Sequence, residues 1–302
     1  MTDWHRPELN DITGTHSFPE SWKGMGSDTA LVNIWQLRDK YDTLVAWQDG
    51  FFLRYYRGHS ANRRGYGFPL FGTKEKLGTI LGFIKYDSRE RNIPLEFCLC
   101  DEKQRNVIDE FLNVEWYSED SDSDYIYKRE SLATLAGKKL HRKRNHINGF
   151  KKIYPEFEYR TIRSGMERDM IGVAEKWLSE KDKLTDGSEL LEFESIKNAS
   201  ANMEALGLIG GVLYVDGIAA AMTMGSAVSE NCVDVHFEKA YGEYAANGAF
   251  TVINQCFSSS EDVLGFEYIN REEDMGIEGL KTAKESYYPA YKLKKYYGVC
   301  KC

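Results

Sequence analysis

The sequence is poor in cysteine, opens without an apolar run, and carries no glycine-rich dinucleotide fingerprint. Six cysteines among 302 residues are far too few for a disulfide scaffold and suit a reducing compartment. The opening MTDWHRPELNDITG has neither an apolar stretch nor a small-residue cleavage pattern. A secretory leader is therefore not expected there, and a cytoplasmic location is. Positive charge is in deficit: 39 Lys+Arg stand against 47 Asp+Glu, a formal charge of −8. With 42% hydrophobic residues, that balance describes a globular chain long enough for one large core or two domains.

Two apparent signals have simpler explanations. The pairs Cys98/Cys100 and Cys300/Cys302 could be imagined as a four-thiolate site, but alternate residues of a strand share a face, and buried thiols explain the first pair equally well. No metal is expected. Leu206 to Val228 is apolar over about the length that crosses a bilayer. Its single charge, Asp216, precedes Gly217 between GVLYV and IAAAM, which predicts a tight β-hairpin and no membrane span. Gly207, Gly210 and Gly211 do not make G-x-G-x-x-G, and the strand they lead into returns by a hairpin, which disfavours a dinucleotide fold.

The first third of the chain holds the same device, TLVAWQ, Asp49-Gly50, FFLRYY. A helix-like segment from Lys74 to Arg91 begins 25 residues after Asp49, and the strand-like PLEFCLC begins 45 after. From Asp216, the helix-like Tyr244 to Ser260 begins 28 residues on, and LGFEYIN begins 48 on. Both halves thus read hairpin, further strand, helix, strand. This order predicts a tandem duplication of one α/β (α+β) unit, with domains at 1–120 and 121–302.

Between the halves, acidic EDSDSD gives way to SLATLAGKKLHRKRNHINGFKKIYPEF. Lys138 to Lys152 holds seven Lys or Arg, two His and no acid. Ser131 is a plausible N-cap, and Leu132, Ala136, Leu140 and Ile147 fall at helical spacings, so a basic amphipathic helix is expected over 131–152. With no acids interleaved, i,i+4 pairs cannot neutralise it. Contiguous Arg142, Lys143 and Arg144 favour a polyanionic ligand such as phosphates or RNA over a merely solvated face.

A third informative stretch runs YINREEDMGIEGLKTAKESYYP. A strand-like segment ends directly in Asn270, Arg271, Glu272, Glu273 and Asp274, and Gly276 and Gly279 follow before Lys281 and Lys284. Polar groups at a strand's end commonly build a site in α/β units.

Together, DYIYKRESLATLAGKKLHRKRNHINGFKK and YINREEDMGIEGLKTAKESYYP resemble the phosphatidylglycerol lysyltransferase C-terminal-type family, in a short form without the membrane-embedded flippase domain. The GKKLHRKRN and INREEDMGIEGL runs are its most specific parts, and the resemblance covers nearly the whole chain. It implies a tandem pair of GNAT-type acyltransferase folds, two mixed sheets flanked by helices, similar to the Fem-type peptidoglycan aminoacyltransferases. In such folds an amine or hydroxyl attacks an activated carbonyl held where central strands splay apart, with no covalent enzyme intermediate. Such chemistry needs positioning, donors to the oxyanion and a base.

On that footing, Lys138, Lys139, Arg142, Lys143 and Arg144 are candidates for donor binding, since aminoacyl-tRNA and acyl-CoA both carry phosphates. Glu238 is the first choice as base, with His236 on the same face of its strand as the other; the plainer reading of His236 is a satisfied core histidine. Asn270, Arg271, Glu273 and Asp274 are candidates for substrate recognition, the acids suiting an ammonium. Lys284 is a candidate for stabilising charge on the reacting carbonyl. No tightly bound cofactor is expected. The leading reading is transfer from aminoacyl-tRNA to a small-molecule or lipid-headgroup acceptor. Acyl-CoA-dependent N-acyl transfer and a non-catalytic module binding a phosphorylated ligand or RNA are the alternatives.

Overall fold

The computed structural model describes residues 2–13, 24–58, 63–181 and 187–301. The chain forms two compact units, Met1–Asp124 with Leu293–Cys302, and Tyr125–Lys292. In the first run helices α1 (Leu9–Ile12) and α2 (Leu31–Gln36), strands β1 (Thr43–Gln48), β2 (Phe51–Arg57), β3 (Arg64–Tyr66) and β4 (Leu70–Phe71), helix α3 (Leu77–Glu90), β5 (Glu96–Cys100), α4 (Glu102–Asp109) and β6 (Val114–Tyr117). The second holds β7 (Asp124–Lys128), α5 (Arg129–Thr134), α6 (His141–Ile153), β8 (Glu158–Thr161), α7 (Glu167–Ser179), α8 (Ser188–Ala201), β9 (Ile209–Val215), β10 (Ile218–Ser229), β11 (Cys232–Ala240), α9 (Gly242–Ala246), α10 (Ala249–Ser259), β12 (Tyr268–Asn270), α11 (Glu278–Glu285) and β13 (Tyr291–Leu293). Strand β14 (Tyr296–Cys300) closes the chain. No described helix is long and apolar enough to cross a membrane.

Both predicted hairpins are present. Gln48 pairs with Phe51 and Val215 with Ile218, leaving two-residue turns. Asp49, Gly50, Asp216 and Gly217 all have positive φ, as a turn matched to strand twist requires.

The first sheet runs β1-β2-β3-β5-β14-β6, with β4 on β2; the second runs β13-β7-β12-β11-β10-β9-β8. Each contains a parallel pair, β3 with β5 and β11 with β12. Strands are exchanged between the repeats: β7, next in sequence after β6, joins the second sheet, and β14, next after β13, joins the first. The segment Leu293–Cys302 thus belongs to the first unit, with Met1–Asp124. In the second unit Ile147 and Phe150 of α6, Val252 and Phe257 of α10, and Val233, Val235 and Ile269 share one core. The chain thus holds two mixed sheets flanked by helices, an α/β (α+β) architecture.

Three local readings are corrected. The basic helix does not run unbroken over 131–152: Leu135 and Gly137 take left-handed backbone, which ends α5 and forces a new start at α6. The helix expected over 244–260 breaks at Gly248, φ 105°. Cys98 and Cys100 do not share a face, because Leu99 between them has φ 57° and the two thiols enter different apolar clusters. Cys302 lies outside the described residues.

Candidate active site

Strands β11 and β12 pair only from Cys232 with Tyr268 to Asp234 with Asn270, and then part. What fills the fork follows from a bulge in β11. Phe237 lies opposite Met224 and Val235 opposite Gly225, so His236 is an extra residue and the alternation of side chains shifts by one. A Cβ on Gly225 would run into the Asp234 carbonyl oxygen, so the strand facing the bulge needs glycine there. The expectation that His236 and Glu238 share a face is therefore corrected. Glu238, like Ala240, turns to the α10 side, whereas His236 turns to the other.

Directly after β12, Arg271 places a guanidinium nitrogen 2.9 Å from Glu238 Oε1, both side chains being only 13% and 12% exposed. Asn254 of α10 donates to the second Glu238 oxygen at 3.2 Å. The guanidinium stacks over Tyr287 at 5.0 Å and Tyr127 at 5.9 Å. Burial opposes the charge on Arg271, but Glu238, with Tyr127 and Tyr287, raises its pKa. Lys143 of α6 reaches the same place, its ammonium 3.8 Å above the Tyr287 ring. Burial, and then the charge of Arg271, lowers the Lys143 pKa to about 8, against the pull of Glu238. Two cations, one carboxylate, an amide and two phenol rings thus meet beside the fork.

Among the other basic candidates, Lys138, Lys139 and Arg142 are exposed, and Lys139 lies 5.3 Å over Tyr288. Arg144 is engaged elsewhere: it donates to the carbonyls of Leu135 and, at 2.8 Å, Gly137. It stitches the break between α5 and α6, and a donor-binding role for it is not supported.

The loop after β12 has been given a different job from the one expected. The Lys284 ammonium donates to the carbonyl of Arg271 at 2.6 Å, Glu272 at 3.1 Å, and also Glu273. It holds the loop and is not aimed at a reacting carbonyl. Asp274 accepts from the Tyr125 hydroxyl at 2.7 Å and the Gly276 amide at 2.8 Å, which leaves it a loop-forming residue and not an ammonium site. Glu273 is buried. Asn270 is buried and accepts from the Glu272 amide at 2.7 Å. Its neighbour Ile269 points into the core with Val233, so Asn270 faces the other side with Asp234. Glu238 and Asn270 therefore do not line one cavity.

On that other side, His236 sits between Asp234 and Glu272 at 3.4 and 3.6 Å. Burial opposes the imidazolium, but the two carboxylates offset it and raise the pKa to about 9. Burial, then Asp234, pushes Glu272 up to about 7. Sequence reasoning missed Tyr127, Asn254, Asp234 and the side chain of Glu272. The alternating aromatics of DYIYK were the available sign of the first.

The model of the phosphatidylglycerol lysyltransferase C-terminal family matches residues 22–298, and the chain belongs to that family. A conserved protein of unknown function from Bacteroides thetaiotaomicron is 31% identical, with all of both chains covered and a TM-score of 0.88. The C-terminal domain of a putative lysylphosphatidylglycerol synthetase from Agrobacterium fabrum shares the fold at 12% identity, with 91% of this chain and 90% of that one covered and a TM-score of 0.63. An uncharacterised protein of Mycoplasmoides gallisepticum is 28% identical over 189 residues, 59% of this chain and 56% of that protein. The match thus spans about half of that relative's length.

Proposed function

We propose that the second unit transfers an aminoacyl group from aminoacyl-tRNA to an amine or hydroxyl acceptor at the fork between β11 and β12. The observation that carries the reading is the convergence of Lys143, Arg271 and Glu238 where this family's fold opens its central strands. The acceptor's nitrogen or oxygen attacks the ester carbonyl. The new C–N or C–O bond forms as the ester C–O bond breaks, and the acceptor's proton leaves with the ribose oxygen of the tRNA. Lys143 and Arg271 supply positive charge for donor phosphate or for the oxyanion. Glu238, already bonded to Arg271 and Asn254, orients the guanidinium; it reaches a proton on the acceptor only if Arg271 shifts to substrate. RNA is favoured as donor because exposed Lys138, Lys139 and Arg142 continue the charge of Lys143 over the surface.

The test is incubation with a mixture of charged tRNAs and acyl-CoA donors and a panel of amines, alcohols and lipid headgroups, following which ester or thioester is consumed. Loss of an aminoacyl ester supports the reading. Thioester consumption alone replaces it with acyl-CoA-dependent transfer, and binding without turnover with a non-catalytic module.

A further inference from the structure

Behind the fork, on the face away from α10, lies a group that the transfer reading does not use. His236, its side chain 1% exposed, places Nε2 2.8 Å from Ser226 Oγ. Its Nδ1 makes no hydrogen bond among the described residues, yet stands 3.4 Å from Asp234 Oδ2 and 3.6 Å from Glu272 Oε1. One ligand atom from each of these three residues falls within 4.8 Å of the others.

These separations distinguish two arrangements. An imidazolium hydrogen-bonded to carboxylates closes to about 2.7–2.9 Å. Nitrogen and oxygen atoms around a tetrahedral ion, each about 2.0–2.2 Å from it, stand about 3.3–3.6 Å apart. The two distances from Nδ1, 3.4 and 3.6 Å, match the second spacing. The contact with Ser226 fits as well: when Nε2–H donates to the hydroxyl, Nδ1 carries the lone pair a metal needs, as outer partners of ligating histidines commonly arrange. Two carboxylates and a neutral imidazole suit a doubly charged ion with nitrogen and oxygen preference. The same field that draws a proton to Nδ1 attracts a cation in its place.

We propose that Asp234, His236 and Glu272 bind a divalent transition-metal ion of the zinc type, with a fourth position left for water. The ion would tie the loop after β12 to the bulge of β11 and so fix the backbone of Arg271. The proposal stands on this cluster alone and does not depend on the transfer reading.

The full chain, stripped with EDTA and shown to be folded, is titrated with Co²⁺ and then Zn²⁺. One equivalent of Co²⁺ should give the visible absorption of a four-coordinate site, which Zn²⁺ abolishes, and either ion should raise the melting temperature. Glu272→Gln and His236→Gln should abolish the band, and Ser226→Ala should weaken affinity about 10–100-fold. Since His236→Gln can fail by unfolding, Glu272, 21% exposed, provides the second variant. No absorption and no thermal shift in folded protein would overturn the proposal. So would an unchanged band in Glu272→Gln, which would put the ion elsewhere.

Discussion

Arg271 and Glu238 are joined at 2.9 Å across the gap that opens when β11 and β12 part. Neither would be placed there by strand pairing alone: the bulge at His236 turns Glu238 toward α10, and Lys284 holds the loop that carries Arg271. Because both groups are largely buried, removing one partner strands the other. Glu238→Gln should cost about 3–5 kcal/mol in urea denaturation. The double variant Arg271→Met/Glu238→Leu should cost much less than the two single changes combined. Additive losses would show that the pair is not coupled.

Lys143 gives the site a pH signature. Its folded-state pKa, about 8, lies below the ordinary value of 10.5, so the unfolded chain binds the proton more tightly. The destabilisation from burying the ammonium is fully present below about pH 8 and is relieved as pH climbs toward the unfolded value. The melting temperature of the wild type, compared with Lys143→Met, should therefore rise across that window. Parallel curves would show that Lys143 is not buried against Arg271.

The exposed cations make a separate claim. If Lys138, Lys139 and Arg142 contact RNA phosphates, replacing all three by Ala should weaken tRNA binding and reduce the slope of log affinity against log salt by about 2–3. Replacement of Arg144, which is committed to carbonyls within its own loop, should lower thermal stability and leave that slope unchanged. Electrophoretic or fluorescence titrations at several salt concentrations decide both points.

Lys284→Met should behave as a structural lesion. Three carbonyls lose a charged donor, each such bond contributing about 1.5–3 kcal/mol. Amide exchange at residues 271–276 should quicken, and unfolding should come at lower denaturant. If stability and exchange were untouched while turnover collapsed, Lys284 would belong to the chemistry after all.

Much of the architecture was legible because its signals are local. A two-residue hairpin turn of this kind needs positive φ at two consecutive residues, which Asp49-Gly50 and Asp216-Gly217 both have. Lys143 could be singled out by the charge of its run, Arg271 by its place directly after a strand and Glu238 by its place along one. What stayed hidden depends on register. The bulge at His236 leaves only Gly225 as its trace, on another strand, and without it every side chain beyond Val235 is assigned to the wrong face. The end of α5 was misread because Leu135, a good helix former, takes the left-handed turn itself. Nor does any local pattern report that Lys284 will be consumed by carbonyls or Asp274 by a tyrosine hydroxyl 149 positions away.

The crossing-over of β7 and β14 has a bearing on synthesis. The first sheet takes a strand between β5 and β6 from residues 296–300, so that sheet stays incomplete until β14 has been made. A nascent chain must hold Phe97 and Trp116, the neighbours of that missing strand, in solution while some 180 further residues are made. Removal of residues 296–300 would consequently open the first sheet before the second.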